Sequence, residues 1–242
     1  MCGMSTDTPF TKENLDTCLK ELGKEFRKRN GTTMPAEIIL IGGAAILANY
    51  GFREMTYDID AVIMASSVMK EAVNHVGDKM GLPHGWLNSD FRNTKSHSDK
   101  VSEISVYYKT FSNVLTVRTV AAEYLIAMKL MAGRQYKNDL SDTVGILWEH
   151  QKTGNPISRE AIDNAVALLY SDNAELPLVS QKLINDAFTY SDFEQAYKEI
   201  RESEMQSKEI LLDFDNAYPG ALKTENIDSI LEQARQKRKK DR

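Results

Sequence analysis

Two glycines and two aspartates, close together in the sequence, are the residues whose types and spacing suit chemistry. Gly42 and Gly43 end an apolar run and precede a helix-like stretch, so free backbone N–H groups can approach an anion there. Asp58 and Asp60 are two positions apart, and on a β-strand such residues point to the same face. Carboxylate oxygens are the ligands that Mg²⁺ and Mn²⁺ prefer. The pattern predicts a site for a phosphate group and a divalent cation.

The elements that must position these residues follow from hydrophobic periodicity. Residues 37–41 and 57–64 are predicted strands on either side of a predicted helix over 44–50. Alternation puts Ile59, Ala61 and Ile63 on the buried face of the second strand, opposite the aspartates. The other predictions are helices over 12–29 and from 66 or 67 to 80, a loop over 88–100, strands over 101–108 and 114–120, and helices over 121–132, 139–150, 159–170, 180–188 and 193–213.

Composition narrows the class of protein. The chain has 242 residues, of which 42% are hydrophobic and 27% charged, as in ordinary globular proteins. Its formal net charge of −5 argues against a protein that coats nucleic acid wholesale, although a local basic groove stays compatible with it. Cys2 and Cys18 indicate neither a zinc cluster nor a disulfide framework. With no signal pattern and no apolar run long enough to span a bilayer, we expect a cytoplasmic protein without membrane contact.

Several motifs occur in an order that resembles a known superfamily. After Gly42-Gly43 come Arg53-x-x-Thr56-x-Asp58-Ile59-Asp60, then residues 123–134 with the sequence EYLIAMKLMAGR, and then Asp139-Leu140-Ser141-Asp142. Together they resemble the DNA polymerase β-type nucleotidyltransferases, and within that superfamily the bacterial branch similar to abortive-infection (AbiE-type) toxins. The resemblance implies an α+β fold with a mixed sheet flanked by helices. We predict a nucleotidyltransferase core over residues 1–135 and an α-helical domain with a basic C-terminal tail over residues 136–242.

The resemblance also implies roles for individual residues. Gly42 and Gly43 would cradle the triphosphate of an NTP, while Asp58 and Asp60 would hold Mg²⁺ or Mn²⁺. In the later motifs the implied roles are nucleotide contact by Lys129 and Arg134, and an acidic catalytic residue at Asp142 or alternatively Asp139. Arg53 and Thr56 precede the aspartates in the sequence, where they would bind phosphate or brace the aspartates, or be an ordinary surface arginine and turn threonine.

Residue types alone leave simpler explanations open for the later motifs. Lys129 would then be an exposed charge on an apolar helix, and Asp139 would stabilise a helix N-terminus. Many polymerase β-type enzymes also use a third carboxylate, for which the sequence offers Glu103 on a predicted strand, or Asp142. Without a third acid, catalysis is in doubt.

Three functions follow from these patterns. The first is a Mg²⁺-dependent transfer of a nucleotide from an NTP to RNA, particularly the 3′ end of tRNA, or to a protein hydroxyl, in a toxin that has a cognate antitoxin protein. The second is a catalytically degenerate nucleotide-binding or protein-interaction module of the same fold. The third is an antibiotic-modifying nucleotidyltransferase, whose acceptor cleft would need acids such as Glu149, Glu160 and Asp163.

Overall fold

The computed structural model describes residues 9–171 and 173–240, with side chains described as far as residue 237. Strands and helices mix in the first half of the chain, and the second half is helical. The strands are β1 (Ala36–Leu40), β2 (Ile59–Met64), β3 (Leu87–Asn88), β4 (Ser105–Phe111) and β5 (Leu115–Val120). The helices are α1 (Lys12–Asn30), α2 (Gly42–Asn49), α3 (Val68–Met80), α4 (Ala122–Ala132), α5 (Asp139–Lys152), α6 (Arg159–Tyr170), α7 (Leu178–Ala187), α8 (Phe193–Ala217) and α9 (Ile227–Lys240).

The described strands form one mixed sheet in the order β3-β2-β1-β5-β4. The central strand β1 runs antiparallel to β2 and parallel to β5, β2 and β3 are parallel, and β4 and β5 are antiparallel. Leu40 at the end of β1 pairs with Ala61 near the start of β2. One step further, the Ile41 N–H donates to the carbonyl oxygen of Asp60 at 2.9 Å. This register brings the glycine corner after β1 beside the aspartates of β2.

Burial explains why the elements around this corner form. Ile38, Ile39 and Leu40 of β1 have no exposed surface, as expected of a central strand covered on both faces. In β2, Ile59 and Ala61 are fully buried while Asp60 between them is half-buried, so the predicted alternation holds there. The strand prediction over 57–64 is two residues too long at its start, because pairing with β1 begins only after Asp58.

One hydrophobic cluster runs through the sheet and the helices that cover it. It extends along the chain from Phe10 to Tyr197, and α4 at the end of the sheet-containing half packs on both α5 and α6. A second, small cluster joins Leu211, Ile227 and Leu231 between α8 and α9. The domain boundary at residues 135 and 136 stays a prediction. In the part of the chain that the structure describes, no helix is both long and apolar enough to cross a membrane.

Two sequence predictions for the middle of the chain are wrong. The predicted strand over 101–108 begins at Ser105, because the preceding residues form a 3₁₀ helix, Asp99–Ser102, followed by a turn. The predicted loop over 88–100 contains the end of β3 and a second 3₁₀ helix, Asp90–Asn93. Both segments are polar and short, so their structure depends on pairing with β2 and on contacts with α6 rather than on local periodicity.

Candidate functional site

The glycine corner and the two aspartates line one cavity of about 190 Å³. Gly42, Asp58 and Asp60 contribute to its wall, as do Lys129 and Arg134 from the later motifs. Four further polar wall residues were not singled out from the sequence for this site, namely Asp90, Thr94, Ser96 and Lys137. Motifs that are separated by more than 60 residues in the sequence therefore meet in space, as the ordered set of motifs predicts.

Four aspartates line the cavity, of which Asp139 is paired with Lys129 and Arg134. The other three make up the acidic cluster: Asp58, Asp60 and Asp90. Burial raises the pKa of Asp60 to about 6, and the negative charges of Asp58 and Asp90 act in the same direction. The positive charges of Lys137 and Arg134 oppose this shift. Since the carboxylate form of Asp60 is disfavoured in the protein alone, the cluster has negative charge that a cation would balance.

The two glycines have different structural roles. Gly42 has a φ of +55°, a left-handed conformation that glycine adopts without strain, and it borders the cavity beside the Asp60 carboxylate. A side chain at Gly43 would meet the Thr56 hydroxyl at 2.7 Å and the Arg53 guanidinium at 2.9 Å. The first N–H groups of α2 have no side-chain cap, so they are available to an anion. Gly42 thus borders the predicted phosphate site, while Gly43 packs against Thr56 and Arg53.

Arg53 and Thr56 lie beneath the glycine corner. The Arg53 guanidinium donates to the Asp142 carboxylate at 2.5 Å and to the Met55 carbonyl oxygen at 3.1 Å, and its side chain is 10% exposed. Thr56 is buried and its hydroxyl donates to the carbonyl oxygen of Asp58 at 3.3 Å. Of the two roles that the sequence leaves open, phosphate binding or bracing, these contacts favour bracing.

The cations and acids of the later motifs, together with Arg53, form an ion-pair network around two buried acids: Arg53, Lys129, Arg134, Asp139 and Asp142. The Lys129 ammonium lies 3.0 Å from Asp139 and 2.8 Å from Asp142, and Arg134 donates to Asp139 at 2.7 and 3.1 Å. Asp139 has no exposed surface and Lys129 is 8% exposed, so Lys129 is not the surface charge that its residue type alone suggests. Burial would raise the pKa of Asp139, but Lys129 and Arg134 outweigh it and lower that pKa to about 2.

A buried glutamate on α8 supports this network from behind. Glu204 accepts hydrogen bonds from the Leu140 N–H at 2.8 Å and from the Ser141 hydroxyl at 2.5 Å, in the first turn of α5. Burial raises its pKa to about 8. Sequence reasoning missed Glu204, although its spacing from Ile200, Ser207 and Leu211 places it on the buried face of α8.

The wall segment that contains Asp90 is held by the end of α6. The Ser98 hydroxyl donates to the Leu169 carbonyl oxygen at 2.9 Å, the Lys100 ammonium donates to the Leu168 carbonyl oxygen at 2.8 Å, and the Tyr170 hydroxyl donates to the Ser96 carbonyl oxygen at 2.7 Å. The first two bonds satisfy carbonyl groups at the C-terminus of α6 that lack helical partners. The signal for Asp90 was faint in the sequence, because it depends on β3, two residues long, pairing with β2.

The candidates for a third carboxylate occupy different places from those expected. Glu103 is exposed in the turn before β4 rather than on a strand facing the cavity. Asp142 is 1% exposed and pairs with Arg53 and with the wall residue Lys129, but Asp142 does not itself line the cavity. The acid that the structure brings to Asp58 and Asp60 is Asp90. Among the described residues, no three Asp, Glu, His or Cys side chains stand close enough together to hold a metal ion by themselves.

Comparison with known families identifies one match. A family model described as "Nucleotidyltransferase of unknown function (DUF6036)" matches residues 17–203, well over half of the chain. The matched span contains all of the predicted site residues and ends within α8. No curated protein and no solved structure matches the chain. The five-stranded mixed sheet flanked by helices is compatible with a nucleotidyltransferase-like fold.

Proposed function

We propose, from the premise that this chain belongs to that nucleotidyltransferase family, that it transfers a nucleotide from an NTP to an acceptor hydroxyl with the help of Mg²⁺ or Mn²⁺. The observation that carries the proposal is the convergence of the Gly42 backbone with the Asp58 and Asp60 carboxylates on one cavity. An uncapped helix N-terminus beside a pair of acids offers a place for phosphate oxygens and for the cation that they share.

The donor set fits a hard divalent cation. Asp58 and Asp60 would supply two carboxylates, and water and phosphate oxygens would supply the other ligands, as is usual for Mg²⁺. The raised pKa of Asp60 supports this fit, since it reflects negative charge that the protein alone leaves uncompensated. When bound, the ion would neutralise charge on the triphosphate and polarise it toward attack.

The chain's own residues would hold the substrate for an in-line displacement. The N–H groups at the start of α2 would face phosphate oxygens, and the acidic cluster would hold the cation against them. An acceptor oxygen would form a bond to the α-phosphorus while the bond to the β-phosphate oxygen breaks. A nucleotidylated acceptor and pyrophosphate result, and the proton of the acceptor hydroxyl is released to water. The ion-pair network would keep the cavity rigid.

For the acceptor, the resemblance to AbiE-type toxins supports RNA, particularly the 3′ end of tRNA, with a protein hydroxyl as the other choice. The same resemblance supports a toxin with an antitoxin partner. Incubation of the protein with each α-³²P-labelled NTP, Mg²⁺, and separate fractions of total RNA and total protein tests the acceptor class. Label is expected in the RNA fraction; label in the protein fraction alone would overturn the RNA assignment.

Nucleotide binding is tested by calorimetry with each NTP in the presence and absence of Mg²⁺. The double variant Asp58→Asn/Asp60→Asn is expected to lose the Mg²⁺-dependent binding. Asp213→Asn/Asp215→Asn is a matched control, because it removes the same charge from an Asp-x-Asp pair exposed on α8. Binding that survives in the first variant would contradict a metal role for these acids.

A non-catalytic module of the same fold is the second candidate. Two observations favour it: no metal-holding cluster of three acids exists among the described residues, and Lys129 and Asp142 are already paired with each other. Such a module would bind NTP with similar affinity in the double variant and would transfer no label to either fraction. Transfer by the wild type that the double variant lacks excludes it.

A further inference from the structure

We infer that Lys137, rather than Lys129 or Arg134, is the cation that binds the terminal phosphates of the nucleotide. This inference rests on the proposed function and names the residue that recognises the triphosphate of its substrate. Lys137 lies in the loop between α4 and α5, and its side chain lines the cavity together with the acidic cluster.

Lys129 and Arg134 already have anionic partners. The Lys129 ammonium contacts two carboxylates, at 3.0 and 2.8 Å, in a site where its side chain is only 10% exposed. The guanidinium of Arg134 makes two hydrogen bonds to Asp139. A phosphate that bound the Lys129 ammonium would have to displace these buried acids, and separating a buried ion pair leaves a charge uncompensated. The Arg134 side chain is 35% exposed, but its charge is already paired with the buried Asp139. Their positive charge is therefore mostly used within the protein.

Lys137 differs in all of these respects. It is exposed, and among the side chains that the structure describes no carboxylate lies within ion-pair distance of its ammonium group. It nevertheless borders the same cavity as the acidic cluster. A flexible ammonium with three donors, next to a cation site and without a partner of its own, suits the oxygens of a phosphate chain.

The loop that carries Lys137 is fixed on both sides while this side chain stays free. Gly133 ends α4 in the left-handed conformation, with its N–H donating to the Lys129 carbonyl oxygen at 2.9 Å. The backbone N–H of Arg134 donates to Asp139 at 3.2 Å. The Arg235 guanidinium of α9 also donates to the Gln135 side chain at 2.7 Å. Tyr136 packs on the small hydrophobic cluster between α8 and α9. The backbone at Lys137 is thus positioned before any ligand binds.

If Lys137 binds the outer phosphates, its removal should change the preference of the protein for triphosphates over monophosphates. A nucleoside triphosphate places negative charge at its β- and γ-phosphates, whereas a monophosphate has only the α-phosphate. Loss of Lys137 should weaken binding of the triphosphate much more than binding of the monophosphate. Loss of a residue that only stabilises the fold would weaken both to the same extent.

The test is calorimetric titration of the wild type, Lys137→Gln, Lys137→Arg and the control Lys208→Gln with each Mg²⁺–NTP and the corresponding monophosphate. Lys208 is an exposed lysine of α8, so its substitution makes the same charge change elsewhere. For Lys137→Gln we expect the Kd for the triphosphate to rise about tenfold or more, as for loss of a charge-assisted hydrogen bond. The monophosphate should change less than about threefold, Lys137→Arg should restore most of the affinity, and Lys208→Gln should match the wild type.

The outcomes separate this inference from the proposed function. If the wild type binds Mg²⁺–NTP and Lys137→Gln binds it equally well, the role of Lys137 is overturned and the transferase proposal stands. Equal weakening of triphosphate and monophosphate also overturns it. If the wild type binds no NTP at all, the proposed function fails and the assignment of Lys137 fails with it. Thermal melting of each variant checks that the fold is intact, as expected for an exposed side chain.

Discussion

The acidic cluster and the ion-pair network line or adjoin the same cavity, yet the pKa values of Asp60 in the cluster and Asp139 in the network are shifted in opposite directions. In the network, Asp139 is fully buried and its pKa is lowered to about 2, because two cations outweigh the effect of burial. In the cluster, Asp60 is half-buried and its pKa is raised to about 6 by burial and by neighbouring acids. In the network, the acids are paired with cations of the protein itself. In the acidic cluster, negative charge remains that a bound cation would balance.

This contrast separates residues that stabilise the structure around the cavity from residues that are available to bind a ligand in it. Lys129 and Asp142 belong to the same ordered set of motifs as Asp58 and Asp60. In space, however, Lys129 and Asp142 bind each other. Acids that raise one another's pKa values lower stability and are typical of functional positions. Acids held at low pKa by buried cations contribute to stability instead. The comparison predicts opposite effects when one acid from each group is neutralised.

The largest expected effect comes from Asp139→Asn. This change leaves the buried Lys129 and the Arg134 guanidinium without part of their counter-charge, and breaking such pairs typically costs about 3–5 kcal/mol. Because the pKa of Asp139 is lowered from 3.8 to about 2, its contribution is fully present above pH 3.8 and is lost as pH falls through 2. Urea unfolding at neutral pH measures the loss in the free energy of unfolding.

The matched control is Asp163→Asn, which removes an acid that forms a surface pair with Arg159. Surface pairs of this kind contribute about 0–1 kcal/mol. If both variants lose the same small amount of stability, the network does not support the fold in the way the comparison requires.

A smaller loss in the free energy of unfolding is expected from Gly43→Ala, which would overpack the contacts of this glycine with Thr56 and Arg53. The added methyl group would lie 2.7 Å from the Thr56 hydroxyl and 2.9 Å from the Arg53 guanidinium, and Arg53 is held by Asp142. We expect about 1–3 kcal/mol of destabilisation, as for overpacking of a filled site. Chemical unfolding measures it. Gly51→Ala is the control, since a methyl group there meets nothing within 4 Å, and equal results for the two would show that Arg53 moves aside without cost.

The smallest effect has the opposite sign. The unfolded chain releases the Asp60 proton near pH 3.8, while the folded protein retains it until about pH 6. The free energy of unfolding therefore falls as pH rises from 3.8 to 6 and stays lower above that range. Asp60→Asn removes this penalty, so we expect a gain of about 1–2 kcal/mol at pH 8 without divalent cations, after allowing for solvent screening.

Thermal unfolding in EDTA at pH 4 and pH 8 checks this prediction. The variant and the wild type should be close at pH 4 and diverge at pH 8. A variant that is less stable than the wild type at pH 8 would mean that the carboxylate makes favourable contacts, and the contrast between the two regions would not hold.

Much of the fold around the site could be predicted from local patterns. The helix over 159–170 has the predicted ends, and most other helices differ by a few residues. The predicted strand over 101–108 failed because its first residues pack as a turn against α6 rather than alternating on a sheet. A third acid was predicted at Glu103 or Asp142, whereas the additional acid beside Asp58 and Asp60 in the cavity wall is Asp90. Little in the sequence indicates Asp90, since a strand of two residues leaves almost no periodic signal.

The sequence by itself determined that glycines, paired aspartates and a lysine-containing helix occur in the order of a nucleotidyltransferase, because residue type and spacing are local properties of the chain. Only the tertiary structure decided which of the charged residues neutralise each other and which face the cavity. That distinction depends on distances between side chains that are distant in sequence, such as Arg53 and Asp142 at 2.5 Å. Burial then fixes the result, since a charge removed from water must find a partner within the protein.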